Sequence, residues 1–181
     1  MTNANKGGNS KILALSGGIG GAKLALGFYR ILPAEHLTVV ANTGDDFEHF
    51  GLPISPDLDT MMYTLSSLSN TEMGWGRANE TWTFMKAMKK LGGDQWFSLG
   101  DGDLATHIER KQRLQQGQTL TEVTDHLRRC LGMNARLLPM SDDAVRTMVH
   151  TKDDDVLIFQ HYFVRERCAP EVTRFQFAGI E

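Results

Sequence analysis

KILALSGGIGGAKLALGFYRILPAEHLTVVAN, Lys11 to Asn42, decides the fold class. Its opening, KILALS, is a near-continuous apolar run, the mark of a strand buried in a parallel sheet. GGIGG breaks the run. Leu24, Phe28, Ile31 and Leu32 then recur at i, i+4, i+7 and i+8, which predicts a helix with one apolar stripe. Pro33 ends that helix, because proline cannot continue the hydrogen-bond ladder. LTVVAN, Leu37 to Asn42, reads as a second buried strand. Strand, glycine loop, helix and strand in that order form one βαβ unit. It predicts an α/β fold of Rossmann-like type, a mostly parallel sheet with helices on both faces.

The turn inside this unit, SGGIGGAK, carries chemistry. Glycines let the backbone approach a phosphate closely, and the helix N-terminus supplies N–H donors and a positive dipole. Ser16, Gly17, Gly18, Gly20, Gly21 and Lys23 are therefore candidate nucleotide-binding residues. Two familiar spacings fail: GxGxxG would need glycine at Lys23, and the Walker pattern would need Gly-Lys-Ser/Thr where Ala22, Lys23 and Leu24 stand. A tight turn with no ligand is the competing explanation.

Beyond the second strand lies NTGDDFEHFGLPISPDLDT, Asn42 to Thr60, with Asp45, Asp46, Glu48, Asp57 and Asp59 but no Lys or Arg. It leaves the same carboxyl edge of the sheet as the glycine loop, where open α/β sheets bind ligands. Bare carboxylates there would repel a diphosphate. They become useful if they hold Mg²⁺, which takes one or two carboxylates plus phosphate oxygens. Asp45, Asp46, Asp57 and Asp59 are the candidate metal ligands, with Asn42 and Thr43 beside them and Asp45 or Asp59 as a catalytic base. Ser55 and Pro56 mark a helix start. Asp57 and Asp59 in its first turn would also suit the helix dipole with no metal at all.

Leu58, Met61, Met62, Leu65 and Leu68 fall on one face of that helix and belong to the core. A helix is predicted over Glu80–Leu91, a strand over Gln95–Gly100, and a helix over Asp103–Gln116. Thr119 with Glu122 forms a capping box opening the next helix. Ala135–Met140 reads as a strand. Val145–Thr151 and Val156–Val164 read as a hairpin around a solvated KDDD turn, and Val172–Ala178 as a last strand. Three clusters add polar groups: Arg77 and Glu80 in GWGRANETW, Asp101, Asp103 and His107 in LGDGDLATH, and Ser141, Asp142 and Asp143 in LPMSDDAVRT. Singly, each has an ordinary explanation. His107 competes as a surface helix residue, and Trp75 and Trp82 as packing groups.

The totals bound the reading. At 41% apolar and 23% charged, the 181 residues suit one soluble domain, Lys11 to Glu181, behind a polar leader, Met1 to Ser10. The leader lacks the apolar core of a secretory signal. A net charge of −3 supplies no broad basic field, so nucleic acid is not the expected partner. No apolar run reaches the length of a membrane span. Cys130 and Cys168 lack metal spacing and read as buried or inert thiols of a cytoplasmic protein.

In combination and order, SGGIGGAKLALG, NTGDDFEHFGLPISPDLDTMMYTL, GWGRANETW, WFSLGDGDLATHIER, LTEVT, LLPMSDD and FQHYFVR resemble the CofD/FbiA family. These are the 2-phospho-L-lactate transferases of coenzyme F420 biosynthesis. The resemblance covers nearly all of the chain after the leader. It implies transfer of a phospholactyl or phosphoenolpyruvyl group from a guanosine diphosphate ester to the hydroxyl of a deazaflavin, with release of GMP and a need for Mg²⁺. It implies that the glycine loop serves the donor, that the four aspartates crowd the metal and the acceptor hydroxyl, and that Asp101 and Asp103 face the deazaflavin. Assembly as a homodimer is left open. Gly102 stands where many members carry a basic residue, and family chains run on well beyond Glu181. Two other readings therefore stand beside the enzyme: a non-catalytic nucleotide-binding regulator that shares the glycine loop, and an inactive truncated copy.

Overall fold

The computed structural model describes residues 10–180. The leader, Ser10 apart, lies outside them. The βαβ unit forms as β1 (Ile12–Ser16), α1 (Gly18–Ile31) and β2 (Leu37–Ala41), and β5 (Arg136–Pro139) joins it in a three-stranded parallel sheet of order β1-β2-β5. Between β2 and β5 come a short hairpin, β3 (Phe47–His49) and β4 (Leu52–Ile54), then α2 (Pro56–Leu65), α3 (Thr83–Lys90), α4 (Asp101–Gln115) and α5 (Leu120–Cys130). After β5, the strands β6 (Arg146–Thr151), β7 (Val156–Ile158) and β8 (Val172–Ala178) make an antiparallel sheet of order β7-β6-β8.

The main core lies on one face of the parallel sheet. Leu37, Val39, Ala41 and Leu137 meet Ala22 and Ala25 of α1, Leu58, Met61 and Met62 of α2, and Val123 and Leu127 of α5. Small residues, not the predicted leucine stripe, set the docking of α1. Ala22 and Ala25 are buried, while Leu24 is 60% and Ile31 76% exposed. Alanine lets α1 lie close to both the sheet and α2, with Leu26, Phe28 and Tyr29 partly buried against the core. On the opposite face β1 is open, with Leu13 63% and Leu15 77% exposed.

Several predicted boundaries move for physical reasons. Gln95–Gly100 is not a strand; Trp96 and Phe97 pack instead against Phe47 and His49, with ring centroids 4.9 to 5.7 Å apart. The second arm of the predicted hairpin stops at Ile158, and His161–Arg165 turns into a π-helical segment in which Phe163 stacks on Phe159. The third helix starts at Thr83 rather than Glu80, and the fourth at Asp101 rather than Asp103. The capping box of α5 forms as read, with Thr119 and Glu122 bonding reciprocally. Both cysteines are free, but exposed rather than buried.

Candidate functional site

The glycine loop and the acidic stretch make one site because α1 and α2 pack side by side with their N-termini together. Gly18 has φ +60, a conformation glycine adopts without strain. Its N–H donates to Asp57 Oδ1 at 2.8 Å, and Asn42 Nδ2 donates to Asp57 Oδ2 at 3.1 Å. The Asn42 carbonyl oxygen in turn accepts from Gly44 N at 2.9 Å. A Cβ at Gly17 would stand 3.2 Å from Asp57 Oδ2, so the glycine is what lets the carboxylate approach. Ser16 Oγ is buried without a partner, and a side chain at Gly21 would strike it. Around Gly20 there is open space, and Lys23 is exposed on α1.

Each acidic pair splits into a member beside the glycine loop and a member turned toward other parts of the fold, although Asp57 in the first group is itself buried. Asp45 is half-buried beside Asp57; burial, then the Asp57 charge, raises its pKa, while the Asn42 side chain opposes the rise. Among the described residues, neither Asp45 nor Asp57 makes an ion pair. Asp46 points inward. Ser55 Oγ donates to its Oδ2 at 2.7 Å, closing the base of the β3–β4 hairpin. Burial pushes the Asp46 pKa up to about 7, against the pull of Ser55 and the charges of Arg110 and Arg146. Thr43 is fully buried, and its carbonyl accepts from Arg146 Nη1 at 3.3 Å.

Asp59 also points inward, to Arg110, an arginine only 1% exposed. Arg110 donates to Asp59 Oδ1, to the Pro53 carbonyl at 3.2 Å and to His107 Nδ1 at 3.0 Å. An arginine cannot accept, so Nδ1 is the accepting nitrogen of His107 and the ring proton sits on Nε2. That nitrogen lies 3.3 Å from Asp103 Oδ2, and Tyr63 Oη donates to Asp103 Oδ1 at 2.6 Å. Burial alone would raise the Asp103 pKa, but His107 and Tyr63 outweigh it and hold it low. One ligand atom from each of Asp59, Asp103 and His107 lies within 4.8 Å of the others, a metal-like grouping. Arg110 already supplies the positive charge there, which makes it a buried ion-pair network. His107 is thus interior rather than surface, at 1% exposure.

A second device joins α3 and α4. Asp101 accepts from Thr83 N and Phe84 N, both at 3.1 Å, and so caps α3. The Thr81 hydroxyl bond and these amide bonds lower its pKa. Glu80 accepts from Gly102 N at 2.6 Å and Asp103 N at 2.8 Å, and so caps α4. Each helix start is capped by a carboxylate from the start of the other: Asp101, the first residue of α4, caps α3, and Glu80, just before α3, caps α4. A Cβ at Gly102 would stand 2.9 Å from Glu80 Oε1. Arg77 donates to the Gly102 carbonyl at 3.2 Å and lies over the Tyr63 ring, beside a cleft of about 240 Å³.

The fold therefore brings Asn42, Asp45 and Asp57 to the glycine loop, with Asp46 and Asp59 behind them. Asp101, Asp103, Arg77 and His107 gather around the start of α4. Ser141 and Asp142 are engaged elsewhere: Ser141 Oγ accepts from Asp143 N, and Asp142 Oδ1 from Thr121 N at the start of α5. Sequence reasoning missed Arg110, Tyr63 and Ser55. A signal for Arg110 was present, since Asp103, His107 and Arg110 stand at i, i+4 and i+7 on one helix face.

The sequence model of the family described as 2-phospho-L-lactate transferase CofD matches residues 12–181. The chain belongs to the CofD family. It is 48% identical over 166 residues to the phosphoenolpyruvate transferase of Kitasatospora aureofaciens, covering 88% of this chain and 51% of that one. It is 43% identical over 156 residues to the 2-phospho-L-lactate transferase of Methanocorpusculum labreanum, covering 86% and 51%. The chain thus spans about half the length of these curated relatives. A crystal structure of a UPF0052 family member from Bacillus halodurans shares the fold, with a TM-score of 0.55 at 14% identity over 95% of this chain and 52% of that one.

Proposed function

We propose that this CofD-family chain forms the nucleotide- and metal-binding part of a transferase in coenzyme F420 biosynthesis. The reaction moves a phospholactyl or phosphoenolpyruvyl group from a guanosine diphosphate ester to the hydroxyl of a deazaflavin, and GMP leaves. The observation that carries the reading is the pair Asp45 and Asp57, two carboxylates without a cation partner at the N-terminus of a glycine-started helix. The donor set suits Mg²⁺: hard oxygen ligands, few in number, with a neighbouring amide in Asn42. Burial, and after it the charge of Asp57, raises the Asp45 pKa, and a cation between the two would offset that repulsion.

Asp45 and Asp57 would hold Mg²⁺, which offsets the negative charge that builds on a departing phosphate. The remaining work falls to the protein. The amides of Ile19 and Gly20, in the first turn of α1 where no intrahelical acceptor is available, orient the donor phosphates. Asn42 and Gly18 fix the Asp57 carboxylate. The acceptor oxygen attacks the phosphorus that carries the three-carbon acid, and the bond from that phosphorus to the oxygen of GMP breaks. A carboxylate of the acidic stretch that is not itself a ligand of the cation receives the hydroxyl proton. Catalysis of this kind is mostly positioning and charge neutralisation. Among the described residues no helix is long and apolar enough to cross a membrane.

The test incubates the chain with Mg²⁺, the deazaflavin alcohol and each guanosine-activated donor in turn, and follows GMP and phosphorylated deazaflavin. The donor that is consumed identifies the three-carbon acid. Nucleotide binding without turnover would favour a regulator instead, and neither binding nor turnover an inactive copy. Asp45→Asn and Asp57→Asn variants that keep wild-type rates at saturating Mg²⁺ would sink the carboxylate assignment.

A further inference from the structure

Arg110 stands where three parts of the site's scaffold meet: α4, which bears it, the first turn of α2 through Asp59, and the β3–β4 hairpin through the Pro53 carbonyl. The hairpin lies between Asp45 and Asp57 in sequence, and Asp46 with Ser55 closes its base. The gap between Asp45 and Asp57 is therefore set by a hairpin of fixed length. Its base is tied by one hydrogen bond, and its far arm is tied to α2 by one guanidinium. The planar fork of arginine reaches carboxylate, carbonyl and imidazole at once; the single ammonium of lysine could not hold all three. Its charge also occupies Asp59, which keeps that carboxylate from turning outward to join Asp45 and Asp57.

We propose that Arg110 is a positioning residue for the divalent-cation site: it acts through Pro53 and Asp59 to hold Asp45 and Asp57 at binding distance, while touching neither. This inference rests on the reading that Asp45 and Asp57 bind the cation.

Mn²⁺ alone, followed by its electron paramagnetic resonance signal, is the probe, and thermal unfolding is measured alongside. Wild type should bind Mn²⁺ and Asp57→Asn should not. Arg110→Lys should weaken Mn²⁺ by about tenfold, within the range seen when groups that orient metal ligands are removed. As a control for loss of folding in Arg110→Lys, Arg110→Met combined with Asp59→Asn removes both buried charges together and should show the same weakening in a folded protein. Leu127→Ala, which opens the core at α5, should lower the melting temperature and leave Mn²⁺ affinity within twofold. Arginine variants that bind Mn²⁺ as wild type does, while Asp57→Asn fails to, would overturn the positioning role alone. A loss of affinity in Leu127→Ala equal to that in the arginine variants would also overturn it, by reducing the effect to stability. An Asp57→Asn protein that binds as wild type would bring down the proposed function itself.

Discussion

Asp45 and Asp57 form one layer of carboxylates, and Asp46 and Asp59 form another directly behind it. The residues are the same type, and each outer member lies within two positions of its inner one. Their surroundings differ in one respect. Outside, backbone and side-chain amides attend Asp57, and neither Asp45 nor Asp57 has an ion-pair partner among the described residues; inside, Ser55 holds one oxygen of Asp46 and Arg110 one oxygen of Asp59, and the second oxygen of each is buried without a hydrogen-bond partner. A carboxylate left without a counter-charge beside a glycine loop is free to bind something. One paired with a buried guanidinium is committed to the fold. The comparison teaches that a cluster of acids should be sorted by the charges that face them rather than counted by residues.

The sharpest way to break the comparison is Asp57→Asn. If the outer layer does the chemistry, turnover should fall by roughly a hundredfold or more, with the melting temperature little changed. Assaying GMP release beside a thermal scan checks both halves. Asp59→Asn should do the reverse. Removing one partner of a buried ion pair leaves Arg110 uncompensated, and about 3–5 kcal/mol of stability should go. Denaturant titration measures this, and a loss below about 1 kcal/mol would erase the distinction between the layers.

Asp46 sharpens the inner layer through pH. The folded chain keeps its proton up to about pH 7, whereas an unfolded aspartate releases it near pH 4. Between those values the folded state binds more protons, so this group's contribution to stability falls as pH rises, by at most about 1.4 kcal/mol per pH unit. In Asp46→Asn the fall between pH 5 and pH 7 should flatten, as melting temperatures measured across that range would show. The smallest effect is expected at the helix starts: Glu80→Gln should lose about 1 kcal/mol by weakening the cap of α4, read by the same titration.

The βαβ unit was legible because its signals are local: an apolar run, glycines, a helical stripe and a second run. The capping box was legible for the same reason, all its atoms lying within one turn. The division between the two layers was not. Which of Asp57 and Asp59 meets the glycine loop depends on Arg110, 51 residues away from Asp59 in the chain, and no local periodicity reports that contact. Trp96 and Phe97 misled in the opposite direction. Their apolar, aromatic character suggests a strand, but they are used for ring packing against the hairpin rather than for pairing. In α1, the larger leucine and isoleucine drew the eye from Ala22 and Ala25, whose small size sets the close approach.

The open side of β1 has a practical consequence. Its outer edge has no paired neighbour among the described residues, and Leu13 and Leu15 project from the same strand at 63% and 77% exposure. Unpaired backbone groups next to exposed leucines make a surface that recruits other chains. At high concentration this strand is where sticking between molecules begins. A charged residue at Leu15 is therefore the first change to make when preparing the polypeptide for the measurements above, since it alters the adhesive edge and leaves the buried face of β1 intact.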